Sequence, residues 1–137
     1  MITTDKDRIG PWVCERTGGT YDPSCSAAIG WEVDGELVAG TLYDQFNGRS
    51  ICMHVAAEKP VTRTFTKVCF DYPFNQLGVQ KIIGLVDSTN ESALRFDHHL
   101  GFVEEGRIKD AGKYGDLVLL TMDRNSCRWI KGAVDGR

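Results

Sequence analysis

Hydrophobic positions in this chain change their spacing several times, and each change marks a new element. From Ala27 the pattern becomes strand-like. Ala28–Val33 ends at Asp34-Gly35 and Glu36–Gln45 ends at Asn47-Gly48. Both dipeptides supply the positive φ angles of tight hairpin turns. Arg49–Ala57 completes a three-stranded meander, with Ile51, Met53, Val55 and Ala57 on one face and Cys52, His54 and Ala56 on the other. The spacing then lengthens. Val61, Phe65, Val68, Cys69 and Tyr72 recur at helical intervals, which predicts a helix from Pro60 to about Phe74. Pro60 fits its first position, and Pro73 and Gly78 close it.

The stretch Lys81–Phe102 organises the rest. Ile82-Ile83-Gly84-Leu85-Val86 reads as a strand buried on both faces. Asp87-Ser88-Thr89-Asn90 offers four capping side chains, a helix follows to about Leu100, and Gly101 suits a left-handed C-terminal cap. Phe102–Ile108 and Asp116–Asp123 form a last pair of strands around a polar loop containing Gly112 and Gly115. Before the meander, Asp5–Arg16 predicts a short helix bearing Ile9, Trp12 and Val13 inward, interrupted at Gly10-Pro11. Thr17–Ser26 is a loop. Cys127–Arg137 is a tail whose start is pinned by Trp129 and Ile130 and whose last residues are expected to be loose.

A helical crossover from the third strand to the fourth implies that these two run parallel, joined by a right-handed connection. Mixed sheets can part between such members. The gap would expose backbone groups near Val55–Ala57 and Gly84–Val86.

Composition narrows the class. At 137 residues, 42% hydrophobic and 26% charged, the chain reads as one globular domain. A net charge of −3 argues against a nucleic-acid binder working by bulk charge, and Arg124, Arg128, Lys131 and Arg137 are too sparse to alter that. No apolar run approaches the roughly 20 residues of a membrane span, and MITTDKDRIG lacks the features of a secretory signal. The five cysteines, Cys14, Cys25, Cys52, Cys69 and Cys127, form no C-x-x-C pair. Neither a disulfide framework nor a metal site is expected from them. The reading is a cytoplasmic domain with reduced, mostly buried thiols.

Asn90 to Phe102, NESALRFDHHLGF, resembles the N-x-x-(S/A)-x-x-x-x-x-x-x-G-F helix of the GNAT superfamily of acyl-CoA-dependent N-acetyltransferases, and Glu105-Gly106 follows as in many members. Phe74–Ile82 is similar to the link from helix to central strand in the branch acting on ribosomal-protein N-termini. GDLVLLTMDRNSCRWI resembles small phage-encoded acetyltransferase-like proteins. The likeness covers roughly residues 28–123. It implies an α/β fold with a mixed, mostly antiparallel central sheet, helices on both faces and a splayed parallel strand pair.

The resemblance further implies acetyl-CoA as cosubstrate and an amine, on a small molecule or a protein, as acceptor; a homodimer is an assembly to test for. Val55, Ala56 and Ala57 would pair with the pantetheine arm. Pro60–Thr64 would meet the pyrophosphate, with Asn90, Ala93 and Phe96 completing the cofactor site. Here the chain departs from the family: Glu58-Lys59-Pro60-Val61-Thr62-Arg63-Thr64 contains no glycine where the family's usual phosphate loop reads Gln/Arg-x-x-Gly-x-Gly/Ala. Thr62, Arg63 and Thr64 offer two hydroxyls and a guanidinium in compensation, or are simply a solvated first turn. Asn90 is equally a plain helix cap.

Transfer to an amine needs a base for the ammonium proton, and sometimes an acid for the departing thiolate. His54 is the first candidate base and Glu58 the second; the alternatives are a packed histidine and a solvated carboxylate. The family's tyrosine acid is replaced by Asp97, which at an ordinary carboxyl pKa of about 3.9 is a poor donor at neutral pH. His98 and His99 are the other candidates. The missing tyrosine and the altered loop keep open a second reading, a catalytically inactive acyl-CoA-binding or protein-interaction module of the same fold.

Overall fold

The computed structural model describes residues 1–130. Seven strands form one sheet: β1 (Ile2–Thr3), β2 (Ala27–Val33), β3 (Glu36–Asp44), β4 (Ser50–Ala57), β5 (Lys81–Asp87), β6 (Val103–Ile108) and β7 (Leu117–Asp123). Their spatial order is β1-β2-β3-β4-β5-β7-β6. Every neighbouring pair is antiparallel except β4 and β5, which run parallel. The α-helices are α1 (Lys6–Thr17), α2 (Arg63–Asp71) and α3 (Glu91–Leu100).

The strand alternation divides the core in two. On one face Ile29, Tyr43, Ile51, Met53, Ile82, Val118, Leu120 and Met122 pack with Phe65 and Phe70 of α2, Leu100 of α3 and Phe102. On the other, Ala28, Leu42 and Ala56 pack with Ile9 and Val13 of α1. Helices therefore cover both faces, as expected. β5, however, is not buried on both. Among the described residues no helix covers the α1 side of β5, β7 and β6, and Leu85, Val103 and Ile108 are 39%, 59% and 48% exposed there.

α1 runs unbroken through Gly10-Pro11, against expectation. A proline inside a helix costs about 3 kcal/mol, but Ile9 and Val13 are fully buried, each contributing about 1.5–3 kcal/mol. They lie on the cross-strand pair Gly30↔Gly40. A Cβ at Gly30 would stand 3.0 Å from Ile9, and one at Gly40 3.0 Å from both Ile9 and Val13. Two bare glycines thus let the helix settle onto the sheet.

α2 begins at Arg63 rather than Pro60. Thr62 keeps an extended backbone, its hydroxyl accepts from the Phe65 N–H at 3.1 Å, and this cap sets the start. At its far end the helix widens into a π-helical turn over Tyr72–Gln76, with the Leu77 N–H bonding the Tyr72 carbonyl. Pro73 has no N–H for the carbonyl of Cys69, four residues back. The buried Tyr43 hydroxyl donates to that carbonyl instead.

Short β1 pairs with β2, which the alternation pattern did not show because two residues carry no period. Asp34 and Gly35 have φ of 53° and 80°, as the hairpin requires. At the C-terminal side, Trp129 stacks on Phe70 and donates from Nε1 to the Leu100 carbonyl at 2.7 Å, and Ile130 is buried. The start of the tail is pinned as expected; its last residues, 131–137, lie outside those described. Of the five cysteines, Cys52, Cys69 and Cys127 are buried, Cys14 is half-buried and Cys25 is exposed. No helix among the described residues is long and apolar enough to cross a membrane.

Candidate active site

The parallel pair is laddered over only three positions, Ser50↔Lys81, Ile51↔Ile82 and Cys52↔Ile83. Beyond them β4 continues to Ala57 and β5 to Asp87 with no mutual pairing. Each strand remains fully paired to its other neighbour, β3 or β7.

Which backbone groups are left open follows from register. In an antiparallel ladder, alternate residues turn both N–H and C=O to the same neighbour. The Glu58 N–H bonds the Val38 carbonyl on β3 at 2.8 Å, so His54 and Ala56 also turn toward β3, and Val55 and Ala57 turn toward the gap. On β5 the Gln80 carbonyl accepts from Arg124 and the Ser88 N–H bonds Asp116. Gly84 and Val86 therefore face β7, and Leu85 faces the gap. Unpaired main-chain groups of Val55, Ala57 and Leu85 thus look into one cleft of about 400 Å³.

The cleft is lined by Met53–Glu58 of β4 and its exit, Gly84–Asp87 of β5, Arg16 and Thr17 at the end of α1, and Asn90, Ser92, Ala93, Phe96 and Asp97 of α3 with its cap. It brings together His54, Glu58, Val55, Ala56, Ala57, Asn90, Ala93 and Phe96. Thr62, Arg63 and Thr64 are exposed at the start of α2 and are not among its lining residues. His98 and His99 are exposed near the end of α3, also outside the lining.

His54 is half-buried, and its Nε2 lies 3.0 and 3.2 Å from the two carboxylate oxygens of Asp44. A carboxylate only accepts, so the proton sits on Nε2 and Nδ1 is the basic nitrogen. Asp44 was not singled out from sequence. Its signal was the hairpin register, which pairs Leu42 with His54 and sets Asp44 diagonally on the same face. Glu58 is differently placed. Its Oε2 accepts from Nε and an Nη of Arg16 at 2.9 and 2.8 Å, while Arg16 also lies over the Trp12 ring. With that bridge Glu58 serves to hold the end of α1 against the exit of β4.

The Asn90 side chain caps α3, its Oδ1 accepting from the Ala93 N–H at 3.2 Å. Capping uses the oxygen and leaves the amide nitrogen available to the cleft, so the two roles read from sequence are compatible. Asp87, at the end of β5, accepts from the N–H and hydroxyl of Thr89 and from the N–H groups of Tyr114 and Gly115. The Thr89 hydroxyl first, with these backbone donors, lowers its pKa to about 2. A Cβ at Gly112 would stand 2.5 Å from an Asp87 oxygen and 2.8 Å from the Asp116 carbonyl. Glycine there lets the loop close over the carboxylate.

Asp97 corrects the sequence reading. No hydrogen bond or ion pair from a described residue reaches its carboxyl, and burial alone raises its pKa to about 7. It is therefore partly protonated at neutral pH, not the poor donor its residue type suggests.

No protein-family model matches the chain, and no curated protein matches it significantly. Solved structures do. A mutant of spermidine N-acetyltransferase SpeG from Vibrio cholerae superposes with a TM-score of 0.72 at 17% identity, over 90% of this chain and 94% of that one. The spermidine/spermine N-acetyltransferase SpeG from the same organism, in complex with manganese ions, gives 0.68 at 16% identity, over 90% and 91%. A probable acetyltransferase gives 0.59 at 21% identity, over 72% of this chain and 62% of that one. At these identities the likeness bears on architecture: the chain has a GNAT-like mixed α/β fold, with one parallel strand pair among the described residues.

Proposed function

We propose that this chain is an acetyl-CoA-dependent N-acetyltransferase that passes the acetyl group to an amine by direct attack, both substrates bound together. The observation that carries the reading is the parting of β4 and β5 after Cys52 and Ile83, with Val55, Ala57 and Leu85 turning unpaired backbone groups into the cleft. Val55 is half-buried and Ala57 and Leu85 are exposed, so these unpaired main-chain groups are within reach of a ligand. An extended amide-bearing arm such as pantetheine satisfies them as an added strand would.

In this reading Val55 and Ala57 pair with the arm, Ala93 and Phe96 wall it, and the Asn90 amide binds alongside. Thr62, Arg63 and Thr64 meet the phosphates at the start of α2. His54 takes the ammonium proton of the acceptor on Nδ1, with Asp44 fixing the tautomer and stabilising the imidazolium that forms. Acetyl-CoA supplies the activated thioester. The acceptor is an amine; spermidine, named for the structural neighbours, and peptides with free N-termini both belong in the panel to be tried.

Calorimetry with acetyl-CoA, followed by thiol release across that panel, tests the proposal. Micromolar binding and amine-dependent thiol release are expected, with His54→Gln reducing kcat by about 10²-fold or more and Asp44→Asn producing a smaller loss of the same kind. Absence of binding up to the high micromolar range contradicts the reading. Binding without thiol release would support the second one, an inactive acyl-CoA-binding module, which the glycine-free Glu58–Thr64 segment favours.

A further inference from the structure

We propose that Asp97 is the acid that protonates the departing thiolate, so that a carboxyl group fills a role needing a neutral O–H donor. The inference rests on the transferase reading and deepens it. It stands first on placement. Asn90, Ala93 and Asp97 recur at three- and four-residue spacing on α3 and its cap, which sets them on one helix face, and all three line the cleft between the parted strands. It stands next on the surroundings of the carboxyl group, which is half-buried and reached by no described donor or cation.

The charged groups lining the cleft with it are already engaged. Arg16 of α1 is bonded to Glu58 after β4, His54 of β4 to Asp44, and Asp87 of β5 to Thr89 and the backbone of residues 114–115. On its own helix Glu91, Arg95 and His98 lie outside the cleft lining, and Arg128, packed at the C-terminal end of α3, donates to the His99 carbonyl. None is positioned to hold Asp97 ionised. The contrast with Asp87 is the physical point. One carboxylate is surrounded by donors and stays charged, while the other, lining the same cleft, has none and retains its proton near neutrality.

The acceptor ammonium first gives a proton to His54, which passes it to solvent. The freed lone pair forms a bond to the thioester carbonyl carbon, and the surplus proton this leaves on nitrogen passes to His54 in turn. As the tetrahedral species collapses, the C–S bond breaks and its electron pair goes to sulfur, which takes the proton from the Asp97 carboxyl group. Solvent removes the proton from His54 and restores the one on Asp97, leaving amide and free thiol.

Asp97→Asn and Asp97→Tyr test this against the wild type, with acetyl-CoA binding and turnover of the wild type measured first. If the wild type neither binds nor turns over, the transferase reading itself fails, and this proposal falls with it. Given an active wild type, its kcat is expected to decline through an alkaline limb near pH 7. The asparagine variant should keep its acetyl-CoA KM within about twofold, lose about 10²-fold in kcat, and lose that limb. The tyrosine variant should recover activity with the limb moved up toward the phenol pKa of about 10. A kcat for Asp97→Asn within threefold of wild type, a limb unchanged in either variant, or a KM rising in proportion to the lost kcat would overturn the role while leaving the transferase reading intact. The thermal midpoint of Asp97→Asn is expected to equal or exceed that of the wild type at pH 7, which separates lost chemistry from lost fold.

Discussion

Asp87 and Asp97 line one cleft, and their surroundings push their acidities in opposite directions, to about 2 and about 7. This has a consequence for stability that needs no catalysis. Between the ordinary value of 3.8 and about 7 the folded chain keeps a proton on Asp97 that the unfolded chain has released. Stability from this group therefore falls as pH rises through that window and is level above it. Denaturation midpoints of wild type and Asp97→Asn should diverge in favour of the variant from pH 4 to pH 7, then run parallel. A constant difference across the range would show that Asp97 titrates normally. Residue type alone could not reveal this, since composition gives an aspartate its solution pKa and only the packing of α3 over the cleft takes its water away. Asp44 was hidden for a similar reason. His54 was legible as a candidate base, but its contact with Asp44 depended on a diagonal across the β3–β4 register.

At the scale of elements, the signals that were readable are local ones. Asp34-Gly35 specified its hairpin, Asn90 and Gly101 bracketed α3, and the alternation over Arg49–Ala57 gave β4 nearly to the residue. The misreadings came where a distant contact outweighed a local rule. Pro11 did not break α1 because Gly30 and Gly40, on strands far along the chain, let Ile9 and Val13 bury completely. Pro60 did not start α2 because Thr62 caps it. The glycine floor is directly testable. Gly40→Val should lower stability by about 1–3 kcal/mol, the usual cost of overpacking, read as a fall in the thermal unfolding midpoint. Because α1 ends in Arg16 and Thr17 at the cleft, acetyl-CoA binding should weaken as well. An unchanged midpoint would mean that the close fit of α1 on the sheet has been misjudged.

Across the whole molecule, the central strands do two jobs at once. Near Ser50 and Lys81 they are laddered and carry the core; past Cys52 and Ile83 they separate while each stays anchored to a flanking strand. That anchoring lets a sheet hold open a gap without collapsing into it. The crossover from third strand to fourth made the parallel pair legible in sequence, and the resemblance of Asn90–Phe102 pointed to the parting. The sequence contained no local signal for the placement of Thr62–Thr64 outside the cleft lining, because the glycine-free segment follows no familiar loop geometry. Amide hydrogen exchange, resolved by residue with and without saturating acetyl-CoA, tests the main-chain pairing most directly. The account predicts that the Val55 and Ala57 amides become strongly protected on binding, while that of Ala56, already turned to β3, changes little. Unaltered exchange at Val55 and Ala57 in a chain saturated with acetyl-CoA would contradict it.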